Sequence, residues 1–524
     1  MSTSEPPSKY AAGSEHVSAP LPSPDTLDQE LHHPKGWLNL RLFFSLLIVG
    51  CSMCLFGYDN SFASPLMQLP LFIEKYQGPG LTFTAKNLDL LVPVPLVGAA
   101  MGTFAASFAM KKFGRKRTLI ASYVFLCIPG SFLQLFAPDM AAMVVGRFWN
   151  YIGISIMTTV APLYLTELVP AHVRGRAVGF CVAAIAAVGI IATTIVWATE
   201  KINDHRQYQI PLAIQAAFPC GLAVASLFLP ESPVWYMIHH RPDDAHRVLS
   251  SVRGDNLDLV NAELRILQRA LEEDAARSEQ VHFWSILDQQ NLKRTVTAGA
   301  LLSSGQVGGQ ILVGTYATVM LVQSGVGNPF QITIIISCTN FLGTLIGPYL
   351  VDKVGRRPVA LVGFAILLIL NLAAGSLAAA GLTTESRQLG LASVMIIFAF
   401  FNSASFQSLS FVLPTEVARP ALREPTMAWA AFWSYTTAVI TTFAVPQIMS
   451  PDAANLGAKT AYIFAGCLVV TIIWTYFFIP ETANRTLAEI EEMYSIGLPM
   501  SKWRGYKCSV VADVSAQYGE NKTV

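Results

Sequence analysis

Asp59 ends the run FGYD in an apolar stretch, and Arg147 follows Gly146 early in another. A carboxylate or guanidinium in such surroundings needs a buried partner or a water-filled cavity, and inside a membrane it is a candidate for handling protons or substrate. A second pattern, a glutamate seven residues before an arginine, occurs twice: Glu167 with Arg174, and Glu416 with Arg423. Pro170 falls inside the first spacing, where a helix should end or kink, and Pro414 stands just before the second. Charges at helix ends can pair across an interface and part again, which is the chemistry of a gate. They can also simply cap helices and set topology, because exposed ion pairs contribute little.

The elements that carry these charges are repeated. Gly114-Arg115-Lys116 is answered 241 residues later by Gly355-Arg356-Arg357. Glu167 and Glu416 lie 249 residues apart, as do Arg174 and Arg423, and Pro230-Glu231-Ser232 is answered by Pro480-Glu481-Thr482 after 250. Landmarks at nearly one offset imply two tandem halves.

Composition sets the solvent. Apolar residues make up 53% and charged residues 13% of the chain, and apolar runs near twenty residues recur, so many membrane-spanning helices are expected. The net charge of +1 gives no sign of a nucleic-acid partner. The basic run Lys111 to Arg117 lies between two apolar segments and reads as a short cytoplasmic loop. Cysteines fall mostly inside apolar segments, where Cys51-x-x-Cys54 spans one helical turn and reads as packing rather than a redox or zinc motif. No metal or cofactor is expected, and with no nucleophile or phosphate loop at a workable spacing, neither is enzymatic activity.

Taken in order, residues 1–40 form a Ser-, Pro- and acid-rich tail expected to be disordered. Spans are expected near 42–62, 88–109, 118–137, 141–165, 176–198 and 211–229, giving a six-helix half over 41–230. Residues 231–294 form a polar loop with helical stretches such as DDAHRVLSSV. A second half, 295–480, holds spans near 295–318, 331–351, 359–380, 390–412, 425–449 and 458–479, before a polar tail over 481–524. Lys and Arg crowd the loops on one side, so both tails and the central loop are expected in the cytoplasm. The sequons at Asn484 and Asn521 then carry no glycan.

A ligand site between two such halves belongs near the bilayer midplane. Uncharged polar ligands are recognised by amides, which donate and accept together, and ring-shaped ones also by an aromatic face. Gln306 and Gln310 lie one turn apart on one face of the seventh span; Tyr316 follows, and Asn340 belongs to the eighth. GQVGGQ also suits close helix contact with interhelical hydrogen bonds, the structural alternative.

Together these pieces resemble the sugar porter family of the major facilitator superfamily. The resemblance covers about residues 45–495 and rests on FGYD, FGRKR, Gly146-Arg147, PLYLTELVPAHVRG, PESP, VDKVGRRP, PTEVARPALR and PETANRTLAEI in that order. YQIPLAIQAAFP and GQVGGQILVGTYAT are most similar to fungal α-glucoside (maltose-type) permeases. The resemblance implies an all-α polytopic membrane protein of twelve transmembrane helices in two six-helix halves, with a cytoplasmic helical loop between them. It implies proton-coupled import of a sugar, an α-glucoside or related glycoside, by alternating access, with Asp59 and Arg147 as the coupling pair. A fixed structural ion pair is the plainer alternative. Its gate comprises Arg115, Glu167, Arg174, Glu231, Asp352, Arg356, Glu416, Arg423 and Glu481, clamping the halves together when the carrier opens outward. Gln306, Tyr316 and Asn340 match its sugar-contacting positions, with Gln310 adjacent.

Several positions depart from that pattern. Lys111-Lys112 replaces an acid-base pair that Asp352-Lys353 keeps in the second half. The fifth span has Val188, Gly189 and Ile190 where a glutamine is expected. Phe411 stands for a tryptophan, and Ser434-Tyr435 for a Gln-Trp pair; Phe411 and Tyr435 complete the candidate substrate contacts. The lost amides leave room for a bulkier or less polar substrate, and for two rival readings, an exporter of a small hydrophobic metabolite or a non-transporting sugar receptor. A plasma-membrane monomer in a lipid bilayer is expected.

Overall fold

A computed structural model describes residues 39–78, 82–170, 174–253, 260–265, 267–268, 271, 283–419, 422–483, 485 and 487–506. The expected disordered tail up to residue 38 and both sequons, Asn484 and Asn521, lie outside that set. All regular structure among the described residues is helical.

Twelve long helical segments run back and forth in two sets of six. The first set is α1 (Leu40–Leu66), α2 (Ala85–Phe113), α3 (Arg115–Leu135), α4 (Met140–Leu168), α5 (Arg174–Thr199) and α6 (Arg206–Ser226). The second is α7 (Gln289–Gly305, continued to Gly314), α8 (Pro329–Val354), α9 (Arg356–Ala379), α10 (Glu385–Val417), α11 (Arg423–Met449) and α12 (Ala461–Phe478). Ten of these meet length and hydropathy requirements for crossing a bilayer; α7 and α11 are the other two. α11 is diluted by Trp429, Trp433, Ser434, Tyr435 and several threonines. α7 is broken, and it begins at Gln289, earlier than the expected boundary at 295.

The break has a local cause. Gln306–Gln310 form a π turn inside which Gly309 adopts φ +95°, a left-handed conformation that costs a residue with a Cβ about 1–2 kcal/mol. Nδ2 of Asn371 on α9 donates to the freed carbonyl of Gly308 at 3.2 Å, so the kink leaves that group satisfied. Two further π turns interrupt α3 at Tyr123–Cys127 and α10 at Ser403–Gln407.

Short connections at one end of the bundle, here the charged end, hold Gly114 and Gly355. Their φ values of +93° and +106° reverse the chain between α2 and α3 and between α8 and α9. At the opposite end the two halves are joined. Oγ of Ser64 accepts the backbone N–H of Thr318 at 3.3 Å, and the carboxylate of Asp452 accepts that of Ala85 at 2.9 Å. A continuous apolar cluster there includes Phe62, Leu66 and Leu88 from the first half with Tyr316, Met320 and Met449 from the second. Among the described residues no hydrogen bond or ion pair joins the halves at the charged end; those that join them lie at the opposite end.

Two segments outside the bundle are docked rather than loose. Helix Pro242–Arg253 places Arg253 against α4, where Nη1 donates to the carbonyl of Leu168 at 2.7 Å. The tail, read from sequence only as polar, folds into Leu487–Ser495 and a turn at Met500–Gly505, with Trp503 buried against Ile490 and Met493. Glu491 bridges Arg294 at 2.6 Å and Arg419 at 2.8 Å. Partial burial pushes its carboxyl up, but the two guanidiniums outweigh that and hold it below the usual value. A depressed carboxyl contributes stability at neutral pH and loses it as the medium is acidified through the folded value.

Candidate functional site

Asp59 is buried, 1% exposed, in the last third of α1. Its Oδ1 accepts from Nδ2 of Asn150 on α4 at 3.2 Å and from Nε2 of Gln215 on α6. Oδ2 is buried and has no hydrogen-bond partner among the described residues. Such a carboxyl has open lone pairs for a proton, and its two amide contacts let it report to three helices at once.

Arg147 is buried one turn before Asn150; its charge acts on Asp59, with no ion pair within 4 Å between them in this conformation. Its Nε donates to the carbonyl of Leu91 at 3.0 Å, and its guanidinium stands 5.5 Å from the centroid of the Tyr151 ring. The carbonyl is available because Pro95, four residues on in α2, has no N–H to claim it. In this conformation Nε of the arginine is held by α2.

The second half presents the polar groups expected to meet a ligand. Gln306 and Asn340 are half-buried, and neither amide has a hydrogen-bond partner among the described residues. Gln310 shares the π turn of α7 with Gln306, and its Oε1 is buried and unpartnered. Gln407 repeats this arrangement in the π turn of α10, again with an unpartnered buried Oε1. Tyr435 on α11 is half-buried. Tyr316 differs from expectation: it is fully buried, and its hydroxyl donates to the carbonyl of Thr442 at 2.9 Å, pinning α7 to α11. The side chain of Phe411 lies outside the described residues.

At the charged end each half builds the same cluster. Glu231 caps α3, its Oε1 accepting the N–H groups of Arg115 at 2.7 Å and Lys116 at 3.1 Å. Glu481 caps α9 likewise, accepting those of Arg356 at 2.9 Å and Arg357 at 3.3 Å. A carboxylate at a helix N-terminus meets unsatisfied donors and the positive end of the dipole. A Cβ on Gly114 or Gly355 would come within 2.6 Å of the capping carboxylate, which explains glycine at both turns beyond its φ.

Arg115 then pairs with Glu167 at 2.7 Å, and Arg356 grips both oxygens of Glu416 at 3.0 and 3.3 Å. Ser232 and Thr482 donate hydroxyls to the same two glutamates. Asp352 adds a contact to Arg356 at 3.1 Å; the corresponding position in the first half is occupied by Lys111, and Arg115 keeps a buried Nε without a partner. All of these bonds close within one half. The side chain of Arg174 lies outside the described residues, and Nε of Arg423 is buried without a partner among them.

The sequence singled out neither Asn150 nor Gln215. An amide in an apolar helix was the available signal, but nothing local joins positions 59, 150 and 215. Asn371 was equally invisible, since its role depends on a backbone break in another helix.

Known proteins are similar to this chain. A family model described as "Sugar (and other) transporter" matches residues 44–494. The chain is 28% identical over 456 residues to the high glucose sensor RGT2 of Saccharomyces cerevisiae, covering 84% of this chain but only 59% of that protein. It is 24% identical over 490 residues to the general alpha-glucoside permease of the same yeast, covering 91% of this chain and 78% of the permease. The inward open conformation of the xylose transporter XylE from E. coli has the same fold, with a TM-score of 0.72 at 20% identity over 86% of this chain and 99% of that one.

Proposed function

The chain belongs to the sugar (and other) transporter family of the major facilitator superfamily, and we propose that it carries a sugar or glycoside together with a proton by alternating access. The observation that carries this reading is Asp59, a buried carboxyl with one oxygen unpartnered and the other held by amides from α4 and α6. Protonation removes the charge that Asn150 and Gln215 contact, so α1, α4 and α6 can shift together. Loss of the proton on the other side restores it and resets the carrier. XylE, whose fold is shared, is described as a proton:xylose symporter, which supports the same assignment here.

The conformation closed at the end away from Gly114 and Gly355 corresponds in this scheme to the inward-facing state, with both tails and the charged end in the cytoplasm. Closing that end would bring Arg174 and Arg423 of the two halves toward the clusters around Glu167 and Glu416. The unpartnered Nε of Arg423 supports a partner acquired only in the other state.

Gln306 and Asn340, whose amides have no hydrogen-bond partner among the described residues, are the proposed substrate contacts, and Tyr435 the aromatic wall. The missing amide on α5 favours a glycoside with an apolar face over a fully polar hexose, in keeping with the alpha-glucoside permease among the relatives. Uptake of radiolabelled maltose, α-methylglucoside, glucose and xylose by a transporter-deficient yeast, with external pH recorded, tests this. The expected result is concentrative uptake of an α-glucoside with alkalinisation of the medium.

Likeness to a glucose sensor favours a second reading, in which the same site binds without transport. It predicts substrate-induced change in accessibility at the two ends with no flux of any sugar in the panel.

A further inference from the structure

A cleft of about 340 Å³ opens at the charged end, outside the bundle axis, between the start of α1, the start of α3 and the two helices that follow α6. Its wall carries Arg41, Lys116, Arg117 and Arg247 against a single carboxylate, Glu231. That carboxylate is already committed: its Oε1 accepts the N–H groups of Arg115, Lys116 and Ser232. Nζ of Lys116 is held in place by the carbonyl of Leu227 at 2.8 Å, and Arg247 has Asp244 at 3.1 Å. The side chains of Arg41 and Arg117 have no hydrogen bond or ion pair among the described residues. Tyr236 and Trp235 form an aromatic side of the same cleft.

Topology alone does not require this construction. A bias of basic residues fixes orientation by charge count, with no need of a concave site. The second half shows the difference, because Gly355-Arg356-Arg357 is followed by Pro358 where the first half has Arg117. Arg357 donates to the carbonyl of Tyr476 at 2.8 Å, as Lys116 does to that of Leu227, and in addition covers the Tyr476 ring. The first half alone thus gathers four cations around a space whose one lining carboxylate is held by backbone N–H groups, with Arg247 paired to Asp244 beside it. Guanidinium forks grouped in this way match the oxygens of a phosphate, and the aromatic side can cover an attached ring or glycerol.

We propose that this cleft is a binding site for a phosphate-bearing group, on a lipid headgroup or on a soluble phosphate ester. Arg41 and Arg117 are its principal ligands, and Lys116 and Arg247 supply the remaining charge. Glu231 links the cleft to the cap of α3, so occupancy stiffens the charged end of the first half. The site is separate from the proposed route for sugar and proton and stands whether or not that reading holds.

The test uses the full-length protein purified into phosphatidylcholine nanodiscs. In one arm the bilayer contains phosphatidylinositol monophosphate; in the other, soluble inositol trisphosphate is added to a neutral bilayer. Bound probe is read by native mass spectrometry and by titration. Saturable binding of at least one probe is expected, weakened about tenfold or more by combined Arg41→Ala and Arg117→Ala, since charge-assisted contacts are among the strong ones. Lys111→Ala with Lys112→Ala removes the same charge from an exposed stretch outside the cleft and should leave binding unchanged. Binding in the lipid arm alone identifies a headgroup as the source, and binding in the soluble arm alone identifies a free ester. Unfolding temperature in neutral bilayers checks integrity, with Arg41→Gln and Arg117→Gln used singly if the double variant does not fold. No binding of either probe, equal binding by the cleft variants, or equal loss in the Lys111/Lys112 variant overturns the proposal.

Discussion

Nε2 of Gln447 on α11 donates to Oδ2 of Asp89 at the start of α2 at 2.6 Å, across the seam between the two halves. Beside it, Asp452 accepts the N–H of Ala85, so two carboxylates, one from each half, latch the end away from the charged clusters. A hydrogen bond to a charged group contributes about 1.5–3 kcal/mol, enough to shift a two-state balance roughly 10- to 150-fold.

Asp452→Ala or Gln447→Ala should therefore open this end without unfolding the protein. Distances between spin labels placed on α2 and α11 at that end should lengthen in the variants. An unchanged distribution would mean the latch does not hold the conformation.

At the charged end the cleaner substitution is Arg423→Ala. Its Nε has no partner among the described residues in the present conformation, so removal should cost this state little. It should slow net transport while surface abundance stays near normal, because only the opposite state loses an interaction. Glu416→Gln should also slow transport, but it removes a partner of Arg356 and Thr482 and so disturbs the half itself. Equal slowing of transport and loss of abundance for Arg423→Ala would assign it a structural role.

Gln306→Ala should raise the apparent KM for the transported substrate more than it lowers expression. One hydrogen bond to an uncharged hydroxyl contributes about 0.5–1.5 kcal/mol, or roughly 2- to 13-fold in affinity. A KM equal to that of the unaltered protein would return Gln306 to packing.

Gly309→Ala should destabilise the protein by at least about 1–2 kcal/mol from its backbone conformation alone. The added Cβ would also meet the Asn371 amide at 3.1 Å. Asn371→Ala should weaken the same turn by leaving the carbonyl of Gly308 without its donor. Thermal unfolding in detergent reads both, and an unfolding temperature matching wild type for Gly309→Ala would contradict the assigned turn.

What was legible in the sequence was whatever one chemistry forces to recur. Gly114 and Gly355 need positive φ, the helices after them need a capping acid, and the answering Glu231 and Glu481 appear at matching offsets. Duplicated halves print such requirements twice, and twenty-residue apolar runs announce the spans. The partners of Asp59 were not legible, since they sit on α4 and α6 and meet it only after the bundle forms. Tyr316 misled for the opposite reason: an aromatic with a polar tip near a ligand site looks the same in sequence whether its hydroxyl faces a sugar or, as here, a backbone carbonyl. The double glycine of α7 entered only through close packing, the alternative to ligand contact by its glutamines, although Gly309 is a conformational requirement. Arg147 could be recognised as buried, but the carbonyl of Leu91 that takes its Nε lies on another helix and gives no sign in the sequence.

The central claim is that Asp59 carries the proton that drives accumulation, and Asp59→Asn tests it most directly. Asparagine keeps the size and can still meet Asn150 and Gln215, but it cannot take up or release a proton. In cells or proteoliposomes holding an inward proton gradient, the variant should lose uphill accumulation and substrate-induced alkalinisation. Exchange between two substrate-loaded sides should survive, since that half-cycle needs no proton release. Undiminished, pH-dependent concentrative uptake by the Asn variant would contradict the account.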